Sequence, residues 1–156
     1  MDPEPHLENH FLETHARLLI ESYRRWTGLD LVDPVFFQDE QAKALFEASF
    51  ALVSHGLEVD PIFNYGNGTA LQLFEVDWET LTRMPSRESA ERQNRDERAR
   101  LLSVVGTRGY TDDYAGIRIS SSGRRFAIEK ATVWNVTGPD DRLHGQAAVF
   151  SGWKYL

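Results

Sequence analysis

Three long runs of strand-forming residues fill the last third of the 156-residue chain, and they constrain its fold more than anything before them. Residues 114–120 and 124–136 flank Ser121, Ser122 and Gly123, a connection in which the glycine can take the positive φ of a tight hairpin. A loop of turn formers at 137–141 leads to a third run at 145–153. Everything earlier has to be read as what packs on these strands.

The earlier segments read mostly as helices. Residues 7–27 form one amphipathic helix, with Leu7, Phe11, Leu18 and Trp26 on a stripe flanked by Leu12, Leu19 and Tyr23. Glu13 before Arg17 and Glu21 before Arg25 are in the favourable order for helix ion pairs, and Gly28 stops the helix. A second helix over 38–48 buries Ala42, Leu45 and Phe46. Residues 50–54 make an apolar run suited to a buried strand, with 62–65 as its hairpin partner. Asn67 can cap a helix over 68–74, and Asp77 one over 78–84 that Pro85 ends. From 86 to 105 the pairs Glu88–Arg92, Glu91–Arg95 and Asp96–Arg100 predict a solvated helical face. Leu101, Leu102, Val104 and Val105 anchor its end, and Gly106 and Gly109 release the chain. The strand pair, the short helices and the three closing strands make an α+β layout, a five-stranded antiparallel sheet with helices on one face.

Composition removes several function classes. Aromatic residues at 12% argue against disorder, and the length suits one domain. A net charge of −7 repels phosphate backbones, and the arginines between 87 and 100 are interleaved with Glu88, Glu91, Asp96 and Glu97, so no nucleic-acid partner is expected. With no cysteine, the chain has no disulfide, no thiolate nucleophile and no cysteine-ligated metal. No apolar run is long enough for a bilayer, and the N-terminus is acidic and broken by proline, unlike a secretory signal. The expectation is a cytoplasmic protein without membrane contact.

A set of short motifs, in order along nearly the whole chain, resembles one family. They are Leu18-Leu-Ile-Glu-Ser-Tyr23 with Thr27-Gly28, Val53-Ser-His-Gly56, Asp60-Pro-Ile-Phe-Asn-Tyr65, Leu73-Phe-Glu75 and Pro85-Ser86. They continue through Gly116-Ile-Arg-Ile-Ser-Ser-Ser-Gly-Arg-Arg-Phe126, Val133-Trp134, His144-Gly-Gln-Ala-Ala148 and Trp153. The chain is similar in these to the MEKHLA domain family. That resemblance implies a PAS-like five-stranded antiparallel sheet with short helices on one face and an extra N-terminal amphipathic helix. It divides the chain into an N-terminal helical extension, 1–48, and a PAS-like domain, 49–156, together one MEKHLA unit. It also implies kinship with the C-terminal domain of plant class III homeodomain–leucine zipper regulators and with stand-alone bacterial and algal forms. No homeodomain, zipper, kinase or cyclase pattern is read in this sequence, so DNA-linked regulation is not expected to carry over. PAS domains bind small molecules between sheet and helices and relay the state of that pocket to partners.

Few residues suggest chemistry. His6, His10 and His15 have no metal-ligand spacing: one turn from His10 stands Thr14, and His15 reads as a hydrogen-bonded core histidine. No metal site is expected. Gly66-Asn-Gly68 lacks the lysine of a phosphate loop, and Glu75 and Asp77 read as solvent-facing or capping carboxylates, so no catalytic residue is assigned. The pocket candidates are Phe50, Leu52 and Ser54 on one face of the first strand, and Tyr65, Trp78 and Met84 from the helical side. From the closing strands come Arg118, Phe126, Trp134, Gln146 and Phe150, with His55 and His144 where the first strand ends and the last begins. The same aromatics would equally fill a dry core. Arg118 and Gln146 interrupt apolar strands; an inward arginine needs a ligand carboxylate or phosphate, or else Glu75 or Glu129. Gln146 resembles the flavin-contacting glutamine of light-sensing PAS relatives, whose covalent photocycle needs a cysteine this chain lacks. Non-covalent flavin or haem stays open as a cofactor.

Three functions follow. The first is a sensor or small-ligand-binding module that signals through a protein partner or a homodimer, with the first helix as partner surface or packed on its own sheet. The second is a small enzyme or binding scaffold for a hydrophobic carboxylate, with Arg118 as anchor and His55 or His144 as proton carrier. The third is a ligand-free interaction domain.

Overall fold

A strand buried at every position has to be covered on both faces, and β1 (Ala51–His55) is buried at all five, its polar Ser54 and His55 included. In the computed structural model, which describes residues 3–156 and of Gln38 and Asp39 the backbone alone, β1 lies inside an antiparallel sheet. The other strands are β2 (Phe63–Gly66), β3 (Tyr110–Ile119), β4 (Arg125–Thr137) and β5 (Leu143–Phe150), in the order β2-β1-β5-β4-β3. The third run of the tail breaks at Ser151, and β6 (Gly152–Tyr155) continues along the first half of β4, opposite β3. The expected five-stranded antiparallel sheet is thus present with a short sixth strand added.

Helices cover both faces. On the outer face lie α1 (Glu13–Thr27) and α2 (Gln38–Glu47), whose Ala16, Leu19, Ile20, Ala42 and Leu45 share a core with Leu52, Trp134 and Ala147 of the sheet. The Trp134 indole donates to Ser22 Oγ at 3.0 Å and meets the Tyr23 ring edge-on. The apolar stripe of the N-terminal helix is therefore used within the chain. On the inner face α3 (Gly68–Phe74) buries Ala70, Leu73 and Phe74 on Val53, Phe63 and Phe126, and α4 (Trp78–Leu81), beside β2, adds Leu81 to this core while its Trp78 joins the outer one. Also on the inner face, α5 (Arg95–Arg108) packs on β3 and β4.

Two expected helices are shorter than the periodicity predicts. The segment 7–27 is a 3-10 helix over Leu7–Leu12 and then α1, because His10, Phe11 and Leu12 sit at φ 52–53°, the left-handed region. The break turns Phe11 onto Phe46, while Leu7 stays 79% exposed. A hydrophobic stripe cannot reveal such a break, since Phe and Leu disfavour that conformation. The segment 86–105 starts as 3-10 turns at Ser86–Ser89 and Arg92–Asn94 and becomes α-helical at Arg95. In turns, residues four apart do not stack, so Glu91 pairs with Arg125 of β4 at 2.5 Å and Arg87 with Asp60 at 3.1 Å. Gly106 lies within α5, and Gly109 alone ends it, at φ 101° with the Trp26 ring against its α-carbon where a Cβ would clash.

Asn67 joins the layers. Fully buried, its Oδ1 accepts from Leu52 N at 3.0 Å and Ala70 N at 3.1 Å, capping α3 as expected. Its Nδ2 donates to Leu45 O at 3.1 Å and Phe50 O at 2.8 Å. Asn67→Ala leaves four buried backbone groups unpaired. We expect urea unfolding to show a loss of about 3 kcal/mol, a cap plus desolvated partners. A loss below about 1 kcal/mol, the usual cost of one cap, would contradict this account.

Candidate functional site

Residues opposite each other in an antiparallel ladder share a face. One row runs His55, Gln146 and Asn135 across β1, β5 and β4; the next runs Val53, Ala148 and Val133. Both face inward, toward α5. The space between them and α5 is a cavity of about 60 Å³, apolar along Val53, Phe63, Phe74, Ile128, Val133 and Phe150. Its polar residues are Ser54, His55, Ser89, Arg98, Tyr114, Arg118 and Gln146, and among the described residues no carboxylate lines it.

Each polar residue is placed by local structure. Gln146 Nε2 donates to Leu102 O of α5 at 3.0 Å and to Asn135 Oδ1 at 3.2 Å, and Asn135 Nδ2 donates to Gly106 O at 3.4 Å. These bonds tie the sheet to α5 beside the cavity. Arg118, opposite Phe126 in the ladder, is 8% exposed. It donates to Ile117 O at 2.9 Å and to the Tyr114 hydroxyl at 3.0 Å. The Tyr114 hydroxyl crosses Gly116 so closely that a Cβ there would meet it at 2.1 Å. Arg98, also 8% exposed, comes from the first turn of α5 and donates to Ser86 Oγ. Burial, then the charge of Arg118, lower its pKa to about 10, so it stays a cation at neutral pH. His55 is equally buried; its Nδ1 lies 3.1 Å from Gly56 O, and its Nε2 has no partner. Because a carbonyl only accepts, Nδ1 carries the proton and Nε2 presents a lone pair.

The family model of the MEKHLA domain matches residues 13–155. The chain belongs to the MEKHLA domain family. Among curated relatives it is 26% identical over 144 residues to the rice (Oryza sativa subsp. indica) homeobox-leucine zipper protein HOX32, and 28% over 147 residues to the Arabidopsis thaliana homeobox-leucine zipper protein ATHB-14. Each match covers 92% of this chain but 17% of the relative, so the chain spans about a sixth of their length. Among solved structures it is similar to the PAS domain of a Colwellia psychrerythraea protein, with TM-score 0.62, 16% identity, and 75% of this chain and 94% of that one covered. It is also similar to an RNA-binding light-oxygen-voltage receptor, with TM-score 0.63 and 15% identity, over 76% of this chain and 34% of the receptor. The MEKHLA unit therefore has a PAS fold.

Of the pocket residues expected from sequence, Ser54, His55, Arg118, Gln146 and Phe150 line the cavity. The hydroxyl of Ser54 nevertheless points outward, 3.1 Å from His15 Nε2, and donates to Asn64 Oδ1 at 2.5 Å. Leu52, Tyr65, Trp78 and Trp134 belong to the outer core, and Phe50 sits beside Tyr23 and Leu31 on that side. Phe126 and Met84 pack in the inner core away from the cavity, and His144 is exposed beside Gly138. The first strand thus turns Ala51, Val53 and His55 to the inner face, the opposite parity to Leu52 and Ser54, and of these Val53 and His55 line the cavity. Burial on both sides had removed the alternation that would have shown it. Glu75 accepts from Ser120 and Ser122, and Glu129 lies 3.4 Å from Lys154, so neither neutralises Arg118. Sequence reasoning missed Arg98 and Tyr114. Arg98 had a signal: in a segment of spaced ion pairs it has Asn94 and Leu102 four residues away, and no acid. Among the described residues no group of three acidic or histidine side chains could hold a metal ion.

Burial holds His55 below its ordinary pKa; the Gly56 carbonyl partly opposes this, and Arg98 adds to it. The unfolded chain takes up that proton near pH 6.5, the folded chain only below it, so in between the unfolded state binds more protons. The stability present above pH 6.5 is lost as pH falls through the folded value. Urea midpoints at pH 7.5 and 5.5 should therefore fall further for the wild type than for His55→Gln. Equal falls would mean that His55 titrates normally.

Proposed function

We propose that this MEKHLA unit is a cytoplasmic PAS-like sensor or small-ligand-binding module that signals through protein partners. In this reading residues 1–48 act as a helical extension of the 49–156 domain, and nucleic acid and membrane are not partners. The supporting observation is the coupling of the cavity to the layers around it. Gln146 and Asn135 hold α5 through two of its carbonyls, beside the space a ligand would fill. On the other side of the sheet the Asn135 carbonyl accepts from the Trp26 indole of α1 at 2.9 Å, and its amide donates to Gly109 O at 2.8 Å. A ligand that shifts α5 thereby pulls on a residue that also positions α1. The exposed Val35, Phe36 and Phe37, just before α2, offer an apolar surface to a partner.

The cavity size bears on the cofactor. Ligand sites usually measure about 300–1,000 Å³, so 60 Å³ fits a small ligand and not a flavin or haem without displacing side chains. Gln146, whose amide is committed to Leu102 and Asn135, would have to release α5 to reach a flavin ring. The small-ligand reading is favoured over a ligand-free interaction domain by the convergence of Arg98, Arg118 and His55 on one apolar space.

The test is native mass spectrometry of freshly purified protein, with hydrogen exchange followed over residues 95–108. The expected result is a bound small molecule whose removal speeds exchange in α5. A clean apo mass, no thermal shift across a metabolite panel and unchanged α5 exchange would favour the interaction-only domain.

A further inference from the structure

The cavity holds more positive charge than the fold can neutralise. Each guanidinium offers five N–H donors. Arg98 uses one on Ser86, and Arg118 uses two, on Ile117 and Tyr114. Neither is in an ion pair among the described residues. The acids that could serve are engaged elsewhere: Asp60 with Arg87, Glu58 accepting from Ile62 N, Glu75 with Ser120 and Ser122, and Glu129 with Lys154. Two buried cations on one cavity, close enough to repel each other, destabilise a fold unless something anionic sits with them. Tyr114 gives partial relief, its ring centroid 5.4 Å from the Arg118 guanidinium carbon, and the Asp60 carboxylate, although bonded to Arg87, attracts Arg98 from farther off; neither is in an ion pair with the two arginines. The same space holds the unpartnered Nε2 of His55, a buried lone pair waiting for a donor. The rest of the lining is mostly aliphatic and aromatic.

We infer that Arg98 and Arg118 form a carboxylate-binding pair, and that the module's ligand is a small monocarboxylic acid with a compact apolar body and a hydroxyl or amide donor for His55. This rests on the sensor reading above and names its ligand class. A planar carboxylate matches the guanidinium fork and accepts from both arginines at once. The volume restricts the apolar part to a few carbons. The neutral imidazole accepts without adding a third positive charge.

The probe is 2-hydroxy-3-methylbutanoate, titrated calorimetrically into the full chain beside its neutral amide and beside acetate. The acid should bind, with the amide at least roughly tenfold weaker because a charge-assisted pair is lost. Acetate, lacking the apolar body, should also bind more weakly. Arg98→Met and Arg118→Met should each lower affinity for the acid at least roughly tenfold. Without ligand, both variants should melt no lower than the wild type, since each removes an unneutralised buried charge. Equal affinity for acid and amide, no binding of the acid, or full affinity in either variant would overturn the inference. So would a marked drop in either melting midpoint, which would make that arginine a structural prop. A neutral compound found bound to the purified protein, together with failure of the acid, would sink the carboxylate site and leave the sensor reading intact.

Discussion

The Asn67 side chain meets the backbone of three elements at once, and the layered structure depends on that junction. Its amide binds Leu45 at the end of α2, Phe50 and Leu52 at the start of β1, and Ala70 in the first turn of α3. Few residue types can do this, because the junction needs two acceptor and two donor sites on one short side chain. With it satisfied, β1 can lie between helices on both faces. Leu52 faces the outer core with α1 and α2, while Val53 and His55 face the cavity under α5. The chain is therefore three-layered, with the sheet in the middle, and a change on one face has a mechanical route to the other.

That double burial decides what the sequence reveals. The hairpin at Ser121–Gly123, the pairing expected between 50–54 and 62–65 and found one residue further on as β1 and β2, and the caps at Asn67 and Asp77 were all legible, because each rests on local chemistry: a glycine at φ 87°, a short apolar run, an acceptor before a helix. The facing of β1 and β4 was not. In β4, Lys130 sits at φ 49° and the register with β3 shifts between Thr111 and Gly116. Phe126 and Ile128 therefore share the inner core with Ala131, at the other parity. Periodicity assumes one uninterrupted pleat, and a bulge resets it. The candidate site was half visible for the same reason. Arg118, Gln146 and Phe150 stood out on strands, but Arg98 was hidden in a segment whose charges suggested a solvated helix.

The electrostatics of the cavity run against those of the molecule. The chain as a whole carries −7, and at long range that repels an approaching anion. The attraction begins only near the cavity, where the surface acids are screened by solvent and the two arginines act across a low-dielectric gap. Such a site discriminates by charge number. A polyphosphate meets the full repulsion before it reaches the arginines, and the narrow apolar floor cannot solvate its remaining charge. A monoanion with an apolar end meets the least repulsion and loses the least hydration, so shape and field select the same class of molecule.

Asn135 is where that selection can become a signal. It is buried in β4; its side chain faces α5 and its carbonyl holds the Trp26 indole of α1. Gly109 completes the connection: its carbonyl accepts from the Asn135 amide, and its missing Cβ makes room for the same Trp26 ring. A shift of α5 by even a fraction of a side-chain diameter changes the Gly106 contact, which at 3.4 Å is the longest bond in the set. The indole of Trp26, bonded to the Asn135 carbonyl and lying against Gly109, links that displacement to α1. In the proposed sensor, occupancy of the cavity on the inner face would in this way be converted into a position of a helix on the outer face, where a partner would read it.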